Sequence, residues 1–188
     1  MKRVDVNYID PFFLTMNKTK FTRRYYRHPK TFFTDIRHIF GQRKFIRHTM
    51  RELISFEFRE RLMMVVTEVN GCRYCRDFHL KESLKSGVSE AELAELLEGR
   101  IPKDTPPDEY QALAYAQHWA ESNTHPDPEI RENLFKTYGQ EKAEAIELVL
   151  HMIRMGNLAG NSFDYIIYKL SFGRHGLVEN EERFSIMG

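Results

Sequence analysis

The stretch from Leu53 to Val69 constrains the chain most. Leu62, Val65, Val66 and Val69 recur at helical spacing with Phe58 and make one apolar stripe. Leu53, Phe56, Met63 and Met64 make the opposite side apolar too. Only Glu57, Arg61 and Glu68 share a narrow polar strip, which reads as solvated surface. A helix apolar nearly all the way round belongs in an interior, with other elements on every side. Glu60 falls in the middle of the second apolar face. A carboxylate there needs a hydrogen-bond partner or a proton, because an unpaired buried charge is too costly.

The elements around this helix also read as helices. Pro29 suits the first turn of one running to about Phe40, with Gly41 at its end. A second runs from Gln42 to Met50 or beyond. Asn70-Gly71 turns the chain into a helix from Cys72 to Lys85, anchored by Leu80 and Leu84 and closed by Gly87. Ser89 to Glu92 spell a capping box for the helix ending at Gly99, with Val88 and Leu93 placed as a hydrophobic staple. Asp108 is the expected cap of a helix to Ser122 that carries Trp119. A further helix reaches Gly139. In Gln140–Leu170, Gly156 and Gly160, four apart, permit a close helix approach or a break, and the stretch reads as two helices meeting near Gly156–Asn161. No strand alternation survives, so the expected fold is all-α, a multi-helix bundle. The division is a basic N-terminal extension (1–50) with one or two helices, a helical domain (51–170) and a polar, extended tail (171–188).

Just past the buried helix lies the chemistry. The chain has 188 residues and two cysteines, Cys72 and Cys75, with His79 four residues on. At the start of a helix, these offsets place two thiols and an imidazole on one face. A thiol attacks as its thiolate, and a helix N-terminus and a nearby base both favour that anion. Cys75 is the candidate attacking thiolate, Cys72 the resolving thiol, His79 the base and Glu60 the group that orients it. Peroxide would convert Cys75 to the sulfenic acid, Cys72 would close the disulfide, and a reduced partner would reopen it. Structural thiols and zinc are the rival readings. Zinc usually draws on a second Cys/His pair, and no further cysteine exists. No metal is therefore expected. Tyr74 reads as a packing aromatic, and His118, His125 and His151 as scattered.

These residues resemble a known family. Arg59-Glu60-Arg61-Leu62, Asn70-Gly71-Cys72-Arg73-Tyr74-Cys75, His79 and Gly87 to Glu92 are similar to the alkylhydroperoxidase D-like branch of the carboxymuconolactone decarboxylase superfamily. The likeness is specific over residues 59–99, with an echo in the Asn-containing helix over 141–165. It implies an all-helical, homo-oligomeric protein that reduces hydroperoxides with thiols and no bound cofactor. Its reductant would be a thioredoxin-like or lipoylated protein. Carried over, Cys75 attacks the peroxide, Cys72 forms the disulfide, and His79 with Glu60 relays the proton. Tyr74 stands where alkylhydroperoxidase D proteins often carry histidine. The superfamily's decarboxylases generally lack the cysteine pair, which leaves a lyase as an alternative with incidental cysteines.

Charge supplies the other alternative. Residues 1–51 hold thirteen Lys and Arg against three acids, leaving fifteen basic and twenty-four acidic residues in the rest. Such an arm suggests a non-catalytic binding protein for an acidic partner or nucleic acid. With no nucleic-acid motif, the arm is instead expected to lie on the acidic body of its own or a second subunit. No run approaches the about 18 apolar residues that span a bilayer. Asp5, Asn7 and Asp10 interrupt any leader, so a soluble cytoplasmic protein without a membrane partner is expected.

Overall fold

A computed structural model describes residues 20–178. Helix α3 (Phe56–Asn70) lies at its centre, with ten buried residues, Glu60 and Arg61 among them. Ser55 caps it by accepting the Phe58 amide, as a short hydroxyl does best. Before it come α1 (Pro29–Gly41), α2 (Arg43–His48) and a π-helical turn, Thr49–Leu53. The strong helix thus begins three residues later than Leu53. After it come α4 (Arg73–Ser86), α5 (Glu90–Leu97), α6 (Pro107–Glu121) and α7 (Pro128–Leu170). Among the described residues there is no strand, and the fold is all-α.

One cluster joins Phe58, Leu62, Met64 and Val66 of α3 to Leu93 and Leu96 of α5, Leu113 and Trp119 of α6, and Ile146, Val149 and Leu150 of α7. The side chain of Arg61 is nearly buried within this layer. It reaches Glu92 of α5 at 3.2 Å and Glu109 of α6 at 3.0 Å. The polar strip read as solvated surface therefore faces other helices. Ser89 and Glu92 form the predicted capping box. Asp108 does not cap α6; Pro106 holds that position and Pro107 opens the helix, so Asp108 sits in the first turn.

Two glycine readings came out differently. Gly139 breaks α7 as expected, with φ 73° and ψ 167°. The expected break near Gly156–Asn161 is absent, and the helix runs through it.

The chain forms two compact units. Residues 23–163 make the larger. Within the smaller, which among the described residues comprises 20–22 and 164–178, the Phe21 ring meets Tyr165 and Tyr168 at 5.4 and 5.9 Å. Residues 171–176 turn rather than extend: Gly173 donates to Tyr168 O, and the His175 amide to the Ser171 hydroxyl. Residues 1–19 and 179–188, which carry the remainder of the arm and tail readings, lie outside the described residues.

Candidate active site

The site begins where α3 ends. Gly71 adopts φ 67°, a left-handed turn that suits glycine, and its amide caps the helix on Thr67 O. The chain emerges pointing Cys72 into the start of α4. Cys72 is the N-cap, and its sulfur accepts the Cys75 amide at 3.3 Å. Cys72 and Cys75 are disulfide-bonded, with Cα atoms 5.4 Å apart. Burial separates the two: Cys72 is 1% exposed, whereas Cys75 is half-buried. The candidate attacking sulfur is therefore the accessible one, and both lie where the first free amides of α4 favour negative charge.

His79 follows Cys75 by one turn, about 6 Å along the axis. Its Nδ1 lies 2.8 Å from Glu60 Oε2, joining α4 to α3. Glu60 is 3% exposed, so the carboxylate facing the apolar layer has found its partner in the ring. Arg59 Nε stands at 3.6 Å from the other oxygen. With Nδ1–H donated to Glu60, Nε2 is left as the proton acceptor. No hydrogen bond links the ring to either sulfur among the described residues. All four expected residues thus occupy one corner, but the imidazole-to-thiol contact is not made in the disulfide form.

Helix α7 closes the corner from the other side. A Cβ on Gly160 would stand 2.8 Å from Cys72 Sγ and 3.4 Å from the Tyr74 ring, so only glycine allows this approach. Asn157 and Asn161, both fully buried, continue the contact. Asn161 donates to Asn70 O at 2.8 Å and Arg24 O at 2.9 Å, and accepts from Arg23, which also reaches Gly71 O. Asn70 donates to Asn157, which donates to Thr67. The turn that presents Cys72 is therefore held by amides from α7 and by Arg23 from the segment before α1. Only the Gly160 spacing and the asparagines hinted at this in sequence; the Arg23 contact is 138 residues distant along the chain from Asn161.

Glu68 needs correction as well. Its side chain is largely buried and takes both Arg76 donors, at 2.6 and 2.7 Å. Burial raises its pKa above the ordinary carboxylate value, against the lowering pull of Arg76. Leu84, expected as an anchor of α4, is exposed, while Ser83 beside it is fully buried. Tyr74 is partly exposed; its ring lies 6.0 Å from Phe163 and its hydroxyl accepts from Arg73.

Residues 43–118 match the model of the carboxymuconolactone decarboxylase family. A cysteine-to-alanine variant of the debrominase Bmp8, solved in complex with 2,3,4-tribromopyrrole, has a similar structure. Its TM-score is 0.53 at 19% identity, covering 79% of this chain and 73% of that one. That likeness shows the fold. No curated protein matches by sequence.

Proposed function

We propose that the chain is a thiol-dependent hydroperoxide reductase and disulfide oxidoreductase, a reading supported by the match of residues 43–118 to the carboxymuconolactone decarboxylase family model. The observation that carries this is the 2.8 Å Glu60–His79 hydrogen bond behind a paired Cys72 and Cys75.

A dithiol reductant first exchanges with the disulfide, leaving its own disulfide and two protein thiols. The Cys75 thiol loses its proton to His79 Nε2, directly or through one water, while Glu60 holds the imidazolium. The thiolate attacks the terminal oxygen of a hydroperoxide. The O–O bond breaks, the sulfur takes the oxygen, and the alkoxide leaves with the proton carried by His79. The products are an alcohol and the Cys75 sulfenic acid. The Cys72 thiol then condenses with it, releasing water and restoring the disulfide. A thioredoxin-like or lipoylated protein fits as reductant. The same reading takes 51–170 as the catalytic domain of a cytoplasmic homo-oligomer.

The test is hydroperoxide consumption with dithiothreitol, dihydrolipoamide or thioredoxin. Wild type should turn over and Cys75→Ser should not. Cys72→Ser should stop after one turnover, with a sulfenic acid that dimedone captures. Full turnover by Cys75→Ser would remove the role assignment. A lyase activity surviving Cys72→Ser/Cys75→Ser together would point to the decarboxylase alternative.

A further inference from the structure

Helix α1 has its inner face committed. Ile39 is buried, Asp35 accepts the Tyr26 hydroxyl at 2.6 Å, and the His38 ring meets His151 of α7 at 5.9 Å. The outer face carries Lys30, Phe33, Arg37 and Phe40, spaced three, four and three apart, which is one line along a helix. Beyond the turn at Gln42, α2 adds Lys44 and Arg47, three apart. All six are exposed, and the two phenylalanines are each 64% exposed.

The basic arm is expected to rest on the acidic body of its own chain or of a second subunit. Within the described residues of this chain, four of its cations do not do so. None of Lys30, Arg37, Lys44 and Arg47 makes an ion pair or side-chain hydrogen bond among the described residues. The nearby acids are spent elsewhere: Asp35 on Tyr26, and Glu52 and Glu141 on His48. What remains is a row of unspent positive charge interrupted by two largely exposed aromatic rings, of which Phe33 also meets Phe32 at 5.7 Å.

From this row we infer that the outer face of α1 and α2 binds single-stranded nucleic acid. Cations one side chain wide follow a linear polyanion, and the interleaved rings offer stacking platforms to bases. A bilayer fits less well. An interfacial helix keeps an apolar face for the acyl chains, separate from its charges, whereas here Phe33 and Phe40 lie in line with Lys30 and Arg37. The inference stands independently of the dithiol chemistry.

The experiment uses the full chain with fluorescein-labelled 20-nucleotide uridine RNA and thymidine DNA, read by fluorescence anisotropy at 50–300 mM salt. Four neutralised phosphates give a log–log salt slope of about −3, and each Lys→Gln or Arg→Gln change flattens it by about 0.7. Phe33→Ala and Phe40→Ala should each weaken binding by about tenfold. The substituted side chains are exposed, so melting temperatures should stay at the wild-type value. Absence of binding at 50 mM salt would overturn the inference. So would binding that survives loss of all four cations, which would assign it to another part of the chain. Binding unchanged by loss of both rings would mean mere polyanion attraction. Capture by phosphatidylglycerol vesicles, or salt-sensitive self-association through the same cations, with no oligonucleotide binding, would assign the face to a lipid or a second copy instead.

Discussion

Neighbouring residues of α3 bury opposite charges in opposite ways. Arg61 points into the layer of α5 and α6 and is met there by two carboxylates, Glu92 and Glu109. Glu60 points toward α4 and is met by one imidazole nitrogen, with Arg59 further off at 3.6 Å. The first arrangement exhausts its partners: each charge is answered, and the group ties three helices together. The second leaves a nitrogen over. A charge answered twice is a fastening, whereas a charge answered once, through a ring with two ends, leaves the far end able to accept a proton.

That contrast is open to attack by mutation. Arg61→Leu keeps the bulk but strands Glu109 and leaves Glu92 with Ser89 alone, and should cost about 3–5 kcal/mol in urea unfolding. It should leave the per-molecule peroxidase rate of the folded fraction near wild type. Glu60→Gln should show the reverse pattern. Its stability should change by no more than about 1 kcal/mol, while hydroperoxide turnover falls about 100-fold. Similar stability losses from both would erase the distinction. Gly160→Ala tests how closely the dithiol corner is packed. Its new methyl meets Cys72 Sγ, so a loss of about 1–3 kcal/mol is expected, with slower disulfide closure in stopped-flow.

The smallest effect concerns pH, away from both corners. Burial against Trp119 and then the neighbouring His38 push the His151 pKa below its ordinary value, with Arg154 adding to this and Glu147 and Asp35 opposing it. The folded state therefore prefers the neutral ring, while the unfolded chain takes up a proton as pH falls through about 6.5. Stability contributed by this site is present above that pH and lost below it. His151→Phe should flatten the thermal midpoint measured between about pH 6.5 and 5. An unchanged slope would place the sensitivity on another group.

Much of this was readable from the chain. The period of α3, the capping box at Ser89, the turn at Gly71 and the stop at Gly139 are local signals that the structure matches, whereas the local cap at Asp108 gives way to Pro106 and Pro107. Glu60 was found because a carboxylate on an apolar face is a contradiction in sequence, and contradictions at buried positions draw partners. The misreadings have a common physical origin. Glu68 and Arg61 share a polar strip, and a helical wheel shows the strip without showing that Arg76, Glu92 and Glu109 arrive from other helices to meet it. Leu84 reads as an anchor from hydrophobicity alone, yet it is exposed and Ser83 beside it is the buried residue. Gly156 and Gly160 break a helix by propensity, but Gly160 is retained because Cys72 fills the space of its missing side chain. Arg23 carries no local signal; its role exists only once Asn161 and Gly71 are side by side.

Cys72 holds the first turn of α4 with the same atom that would be oxidised and reduced. Whatever changes the electron count on that sulfur also changes how well it receives the Cys75 amide. The exchange rate of a single backbone proton should thus follow the oxidation state, an internal gauge legible by NMR in the intact protein without any added label.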